Sequence, residues 1–440
     1  MEGSLGMEQE YDAIVLGSGV GGCCAAALLA YQGKRVLLAE KRAYLGGRFS
    51  TVNRDGYLCA TGGLAVPVGQ NLEQVCEQVG IPSGVKPSTK IATWLDGKLY
   101  DHKHGVTRHI IREVADSPEE AQRVLSALNG AMNWKAPSND ISFRDWLNQY
   151  TRNYRIHGMF QSTISSLLTV NSHELPAGEY FKVIKVLSPL TFGFIEGGSL
   201  ALWERIRELV IQAGGDVLVG ASAEKILVNS ARKVTGVQLR YQQQSHQLSA
   251  PIVISNLGPT ATAQRMPAEF VESSYGLQLE KVTPTAIMWL HFASDELLMD
   301  YSAIGVGCSR RVNMIDIPSL EAEGVAPPGK HLYTVGAAPL DSINPQDIKG
   351  EFEEVMADLR DIFPDFDHKC RVLTKTCYRG KWPGFRTVPG TRPSHRTPVE
   401  NLYNVGDGVC PPGYEGSMGA AKSAQIVFEE IVSRDSLVTL

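Results

Sequence analysis

A glycine-rich turn between an apolar segment and a small-residue helix is the feature that most constrains the fold of this chain. The turn reads "GSGVGG" and carries Gly17, Gly19 and Gly22. An alanine-rich segment with helical character follows over residues 20–33, and a second apolar segment, "RVLLAE", covers residues 35–40. This order predicts a strand–helix–strand unit, which is typical of the parallel sheet of an α/β protein.

The three glycines and the residue that ends the second strand indicate nucleotide binding. Gly17 permits a tight turn, Gly19 lets a pyrophosphate approach the backbone, and Gly22 lets helix and strand pack closely. The N-terminus of the helix adds free N–H groups and a partial positive charge. Glu40 stands where a carboxylate accepts the ribose hydroxyls of an adenosine and repels a 2′-phosphate. A glycine-rich turn in an unrelated α/β protein is the alternative, and the position of Glu40 argues against it.

The residues after Glu40 indicate FAD rather than NAD. The run "KRAYLGGRFS" starts at Lys41 and brings Gly46, Gly47 and Arg48 to the place where the chain returns beneath the cofactor. Paired glycines allow a close approach of the backbone, and the Arg48 guanidinium can donate to pyrophosphate oxygens. A simple NAD domain needs no such element. We therefore expect Lys41, Gly47 and Arg48 to bind FAD.

The strand-and-helix pattern returns twice later in the chain, and this indicates two interleaved domains. Between its occurrences the chain is more helical and aromatic, or less regular. We expect a discontinuous FAD-binding domain over residues 11–85, 191–265 and 381–440. A substrate-binding domain is expected over residues 86–190 and 266–380.

The stretch "GDGVCPPGYEGSMGAA", residues 406–421, is predicted to hold the flavin ring. An apolar strand delivers Asp407 to the edge of the sheet, prolines fix the next turn, and glycines clear space for a flat ring. The following helix points its N-terminus at the ring, which stabilises the negative charge of a reduced flavin. We expect Gly416, Ser417 and Met418 to bind the cofactor there. The alternative is an ordinary strand–loop–helix ending.

Taken together, "GSGVGG", "EKRAYLGGR" and the C-terminal Gly-Asp stretch resemble the FAD-dependent amine oxidase superfamily, in particular its phytoene desaturase and carotenoid isomerase group. The resemblance implies a glutathione-reductase-like FAD-binding domain, with a Rossmann-type parallel sheet, and an inserted α+β substrate domain. It also implies that Ala223 offers backbone groups to the adenine and that Asp407 binds the ribityl chain. Ala60 and Gly63 depart from the Asp and Gly-Pro that the desaturase group often shows.

Several side chains are candidates for the chemistry near the flavin. Tyr414 and Glu415 flank the expected ring edge and are the catalytic candidates; the alternative is a loop aromatic and a surface carboxylate. Trp382 could form a wall of the flavin site or pack in the core, and Lys381 could activate water or oxygen or be solvated. His291 could face the substrate or be a core histidine.

These features predict an FAD-dependent oxidoreductase, phytoene desaturase-like, that desaturates, saturates or isomerises a lipophilic small molecule. Oxygen, a quinone or NAD(P) would be the electron acceptor. An amine or amino-acid oxidase is an alternative, which for amino acids needs a buried arginine such as Arg310, Arg311 or Arg386. A non-catalytic binding protein resembling Rab GDP-dissociation inhibitors is an alternative of another class.

Composition narrows the remaining possibilities. The formal net charge is −5, so the composition does not predict a nucleic-acid-binding surface. The eight cysteines form no C-x-x-C pair, and no histidine cluster has metal-binding spacing. The N-terminus does not read as a signal peptide, and no apolar run is long enough to span a membrane. We expect a cytoplasmic protein with free thiols, and a lipophilic substrate favours peripheral membrane contact.

Overall fold

The computed structural model of the protein describes residues 10–102, 106–187, 191–271, 274–380 and 386–438. The strands are β1 (Ala13–Leu16), β2 (Val36–Glu40), β3 (Thr51–Arg54), β4 (Tyr57–Ala60), β5 (Val66–Pro67), β6 (Val85–Pro87), β7 (Ile91–Leu95), β8 (Lys98–Asp101), β9 (Phe192–Ile195), β10 (Asp216–Val219), β11 (Ser222–Val228), β12 (Val234–Tyr241), β13 (Gln244–Ser249), β14 (Val253–Ser255), β15 (Pro284–Thr285), β16 (Ile287–Ser294), β17 (Ala303–Gly307), β18 (Val312–Asp316), β19 (His331–Ala337), β20 (Cys370–Tyr378), β21 (Arg386–Thr387) and β22 (Leu402–Asn404). The helices are α1 (Val20–Tyr31), α2 (Asn71–Gln78), α3 (Val106–Val114), α4 (Pro118–Asn133), α5 (Phe143–Leu147), α6 (Tyr154–Leu168), α7 (Ala177–Leu187), α8 (Ser199–Gln212), α9 (Pro259–Ala263), α10 (Ser274–Glu280), α11 (Ile348–Ile362), α12 (Phe366–Lys369) and α13 (Gly416–Val438).

The first of the two large sheets is parallel and has five strands, in the order β10–β2–β1–β14–β22. The chain adds strands on one side of β1 and then returns to add β14 and β22 on the other side. The strand order therefore reverses between β1 and β14, and ligands of open α/β sheets bind outside the carboxyl ends of the strands at such a point. The predicted parallel sheet and α/β class are confirmed.

Helix α1 packs against this sheet because its side chains are small. Its residues from Val20 to Ala30 are buried, and they join the core that α8 and α13 complete. A Cβ atom on Gly22 would lie 1.9 Å from the Gly17 carbonyl oxygen, so only glycine fits where α1 meets the preceding turn. Residues without long side chains thus bring the N-terminus of α1 close to the end of β1.

The second large sheet has seven strands, in the order β20–β16–β19–β18–β17–β7–β8. Its neighbours pair antiparallel except β17 and β7, which are parallel. One apolar face packs on α11, while helix α6 lies against β17 and β18. The strands of this sheet come from residues 91–101 and 287–378, which lie within the segments expected to form the substrate domain. The domain boundaries themselves stay a prediction.

The helical segment before β9 follows the local sequence signals. Helix α4 begins at Pro118 because the Ser117 hydroxyl accepts a hydrogen bond from the Glu120 N–H at 3.2 Å. Its apolar face joins those of α3, α5, α6 and α7 in one core. Within the part of the chain that the structure describes, we find no helix that combines the length and apolarity needed to span a bilayer.

Candidate functional site

A cavity of about 530 Å³ opens at the carboxyl ends of β1, β2 and β14, where the strand order reverses. A smaller cavity of about 70 Å³ adjoins it and is lined by the first turn of α13. Most of the residues that the sequence predicts to bind the cofactor line the larger cavity: Gly17, Gly19, Glu40, Lys41, Gly47, Arg48, Ala223 and Asp407. Gly416 and Ser417 line the smaller one, which also shares Gly19, Arg48 and Asp407 with the larger.

The glycine turn has the backbone geometry that its expected role requires. Gly17 has a φ of +89°, a left-handed conformation that favours glycine. A Cβ atom on Gly19 would clash with the side-chain amide of Asn256, so a larger residue does not fit at this position. Gly22 lines neither cavity and serves the packing of α1 on the turn.

Glu40 is held in place by three hydrogen-bond donors. Its Oε2 accepts from the N–H and the hydroxyl of Ser18 at 2.9 and 2.7 Å, and its Oε1 accepts from the Arg42 N–H at 2.7 Å. Since a carboxylate has about four acceptor positions, capacity remains for a ligand hydroxyl on the cavity side. Ser18 also accepts from the Gly46 N–H at 3.2 Å, which ties Glu40 to the loop that carries Arg48.

Arg48 and Asp407 connect the N-terminal and C-terminal motifs. The Arg48 Nη2 atom donates to Asp407 Oδ1 at 3.1 Å, and both side chains are only partly buried. The pair lines both cavities, where a guanidinium can donate to an anion and a carboxylate can accept from a hydroxyl. A hydrogen-bond donor suited to a phosphate therefore lies beside a hydrogen-bond acceptor suited to the hydroxyls of a polyol.

Asn256 is a site residue that the motif analysis missed. It follows β14 directly, and its side-chain amide donates to the Val405 carbonyl at 3.2 Å and accepts from the Gly19 N–H at 3.0 Å. The amide therefore fixes the glycine turn against the C-terminal strand. A polar residue directly after a buried parallel strand, "VISN", was the signal that could have identified it.

The end of the larger cavity at β11 contains a second residue that the sequence did not single out. Arg265 donates from Nε to the Ala223 carbonyl at 2.8 Å and from Nη1 to the Ala261 carbonyl at 2.8 Å. Arg265 and Ala223 line the cavity together with Lys41. That Ala223 contacts adenine stays a prediction.

The N-terminus of α13 faces the smaller cavity. Gly416 has a φ of +55°, and a Cβ atom on it would lie 2.6 Å from Nη2 of Arg386. Ser417 follows in the lining, whereas Met418 is fully buried in the core of the helical segment and lines neither cavity. A cofactor contact of Met418 stays a prediction.

The two catalytic candidates lie beside this cavity and not in its lining. Glu415 forms a buried, two-pronged ion pair with Arg392, in which Nη1 donates to Oε1 at 2.8 Å and Nη2 to Oε2 at 2.6 Å. Tyr414 is partly buried and packs against the helical core. Their catalytic role stays a prediction, and the structure gives the Glu415 carboxylate a cationic partner.

Of the three remaining candidates, the structure describes His291 and does not describe Lys381 or Trp382. His291 is buried in β16, where Nδ1 lies 2.7 Å from the Thr374 hydroxyl, and burial lowers the pKa of its imidazole to about 4. It lines neither cavity and is a core residue. Lys381 and Trp382 lie outside the described residues.

Of the three arginines considered for a substrate carboxylate, one lies at the site. Arg310 contacts Asp358, and Arg311 contacts Glu351, both on α11. Arg386 lines both cavities. In the described segments we find no group of three or more His, Cys, Asp or Glu side chains arranged to hold a metal ion.

The donors and acceptors of the joined cavities fit FAD. Glu40 supplies an acceptor at one end, Asp407 supplies another near the middle, and Arg48 supplies a donor to anions between them. Gly47, with a φ of +57°, leaves the wall opposite Gly19 without a side chain. The backbone of Gly416 lines the smaller cavity, where the N-terminus of α13 offers N–H groups.

Comparisons with known proteins agree with this geometry. Residues 20–431 match the family model described as flavin containing amine oxidoreductase. An uncharacterised protein of Methanocaldococcus jannaschii is 23% identical over 90% of this chain and 92% of its own length. The 15-cis-phytoene desaturase of Solanum lycopersicum is 22% identical over 95% and 77%. The all-trans-retinol 13,14-reductase of Rattus norvegicus is 24% identical over 60% and 50%.

Solved structures show the same fold. An oxidoreductase from Methanosarcina mazei superimposes with a TM-score of 0.83 at 25% identity, over 95% of this chain and 99% of that one. An engineered putrescine oxidase superimposes with a TM-score of 0.71 at 14% identity, over 97% and 99%. The expected flavin-binding fold and FAD as the cofactor are thereby confirmed. That FAD occupies the joined cavities stays a prediction. The family match covers residues 20–431, which is most of the chain, so this chain belongs to the flavin containing amine oxidoreductase family.

Proposed function

We propose that the protein is an FAD-dependent desaturase, or a saturase or isomerase, that acts on a lipophilic substrate. The observation that best supports this proposal is the small set of charged side chains at the α13 end of the site. Of the described residues, the charged side chains that line the smaller cavity are Arg48, Arg386 and Asp407, and the nearby Glu415 is neutralised by Arg392. These groups can hold the cofactor, which would supply the redox chemistry.

FAD, when bound, supplies the hydride acceptor or donor at N5. The protein's part is to hold the cofactor and orient the substrate. Glu40, Arg48 and Asp407 hold the polar parts of the cofactor, while Gly63 and Phe49 give the smaller cavity a wall without charge. Leu64, which follows Gly63 in the sequence, belongs to an apolar cluster whose side chains are buried against one another: Ala60, Leu64, Phe194, Ala322 and Val325.

The names of the relatives support reactions at carbon–carbon bonds. One is named for desaturation of phytoene and another for reduction of retinol. Both names describe changes in carbon–carbon bonding rather than oxidation of an amine. The two names differ in direction, so the proposal covers desaturation and saturation alike.

A second candidate is an amine or amino-acid oxidase, because Arg386 lines the site where a substrate carboxylate could bind. A non-catalytic binding protein is the third candidate, and a protein that purifies without flavin and does not take up FAD would favour it.

Oxygen reactivity separates the first two candidates. The purified protein is photoreduced without oxygen and mixed with oxygenated buffer while the flavin absorbance is followed. A flavin that stays reduced for minutes supports the desaturase proposal and excludes oxygen as the acceptor. Quinones, NAD(P) and lipophilic alkenes are then supplied. Reoxidation within seconds, followed by turnover of amines or amino acids, contradicts the desaturase proposal and supports the oxidase.

The lipophilic substrate also leads us to propose peripheral membrane contact. Flotation with liposomes tests it directly: protein found with the liposomes supports the contact, and protein that stays wholly in the aqueous fraction contradicts it.

A further inference from the structure

Arg386 occupies a position in the site that neither the glycine motifs nor the C-terminal stretch explains. It starts the short strand β21, which pairs antiparallel with β15, and its side chain lines both the larger and the smaller cavity. Arg386 is thus placed at the junction where the dinucleotide part of the site meets the α13 end.

The contacts of the guanidinium fix it over the start of α13. Its Nη1 donates to the Leu167 carbonyl at the end of α6. Its Nη2 lies 2.6 Å from where a Cβ atom on Gly416 would be, so glycine at this position makes room for the guanidinium. A cation and the N-terminus of the 23-residue helix α13 therefore converge on the same wall of the smaller cavity.

The charges lining the smaller cavity favour an anion at this wall. Among its described lining residues, Arg48 and Asp407 form an ion pair at 3.1 Å, and Arg386 adds a further positive charge. The pKa of Arg386 is lowered, chiefly by burial; Arg392 and Arg48 also lower it, and Glu415 and Asp407 oppose the shift. An arginine remains protonated under such opposing influences.

We infer that Arg386 contacts the pyrimidine end of the flavin ring and stabilises the negative charge that the ring gains near N1 and the C2 carbonyl on reduction. The inference rests on FAD binding and does not depend on the proposed lipophilic substrate. A cation at this place makes the bound flavin a stronger oxidant. Arg386 therefore favours removal of hydride from the substrate, that is, desaturation or oxidation, over saturation.

Sulfite is a suitable probe, because it adds to oxidised flavin and leaves a negative charge on the ring without any substrate. We would compare the FAD-loaded wild type with Arg386→Gln, Arg386→Lys and the control Arg360→Gln. Arg360 in α11 forms an exposed ion pair with Asp367 in α12. Arg360→Gln therefore changes the net charge by the same amount as Arg386→Gln, but at a position that lines neither cavity. The readouts are the dissociation constant of sulfite and the midpoint potential of the flavin.

We expect Arg386→Gln to weaken sulfite binding about 10- to 100-fold, which is the effect of losing one charged hydrogen bond. Its midpoint potential should fall. Arg386→Lys should stay within about threefold of the wild type, because the charge remains. Arg360→Gln should change neither value. Arg386→Gln protein that holds FAD and binds sulfite like the wild type would overturn the inference.

A crystal structure of the wild-type FAD complex covers the case in which Arg386→Gln does not fold. A guanidinium nitrogen within about 3.5 Å of N1 or the C2 oxygen of the ring supports the inference. A ring separated from Arg386 by another side chain or by a layer of water overturns it. Neither experiment uses a substrate, so each outcome is independent of whether the proposed reaction is right.

Discussion

Arg48 and Asp407 form an ion pair of 3.1 Å although 359 positions separate them in the sequence. The pair joins the loop after β2 to the loop after β22, on opposite sides of the strand-order reversal. The N-terminal and C-terminal motifs therefore line the same pair of cavities. This relationship leads to the first prediction.

Arg48→Ala and Asp407→Ala should each raise the dissociation constant of FAD at least about tenfold, which corresponds to the loss of one charged hydrogen bond. The melting temperature of the FAD-free protein should hardly change, because a partly exposed ion pair contributes about 0–1 kcal/mol. Calorimetric titration with FAD and thermal unfolding measure the two effects. The matched control is Arg371→Ala, which breaks an exposed pair with Asp55. FAD affinity that is unchanged in both site variants would refute the assignment.

Glu40→Gln should weaken FAD binding about tenfold and leave FMN binding unchanged. The variant loses the charge that accepts ribose hydroxyls, and its amide group opposes one of the Ser18 or Arg42 donors. FMN lacks the adenosine half, so it serves as the control ligand within the same protein. Fluorescence titrations of both flavins give the measurement, and an equal loss for FAD and FMN would show that Glu40 acts on the fold rather than on adenosine.

Arg392→Met should destabilise the protein by about 3–5 kcal/mol, because it leaves the buried Glu415 carboxylate without its partner. Urea unfolding measures this loss. The double variant Arg392→Met with Glu415→Leu should recover much of it, because no unpaired charge remains. A double variant that folds, binds FAD and retains turnover would show that Glu415 is a structural residue. Loss of turnover only when Glu415 is changed would instead support its catalytic role.

His291 should make the protein less stable as the pH falls from about 6.5 to about 4. Its folded pKa of about 4 lies below the ordinary value of 6.5, so the unfolded chain binds a proton in this window that the folded chain does not. Asp316 acts in the opposite sense, since burial raises its pKa to about 7 and its stabilising effect declines as pH rises. The measure is therefore the difference between wild type and His291→Gln in urea unfolding. The variant should lose less stability between pH 6.5 and 4.5; equal losses would contradict the buried neutral imidazole.

Local signals predicted the elements that hold the dinucleotide, because turn, helix and strand lie within 30 positions of each other. The observed bounds of α1 and β2 follow the predicted segments closely. The predicted start of the last helix, near Ser417, lies one residue from its observed start at Gly416, which is the ordinary uncertainty at a helix end.

Residues whose role depends on a tertiary contact rather than on a local motif could not be predicted in the same way. Arg392, which the sequence did not single out, reaches Glu415 from the segment before β22, and Arg265 reaches Ala223 from a loop after α9. Glu415 illustrates the consequence. Its place in the sequence, beside the stretch expected to hold the flavin ring, indicates a catalytic role. The structure instead pairs its carboxylate with Arg392, which lies 23 positions away.

The most direct test of the account is the identity and amount of the flavin that the purified protein releases. The protein is unfolded, the released chromophore is separated chromatographically, and its amount is compared with that of the chain. The account predicts one FAD per chain, released without cleavage of a covalent bond. Protein that carries no flavin and takes up none from excess FAD, or that releases FMN alone, would contradict the assignment of the joined cavities as an FAD site.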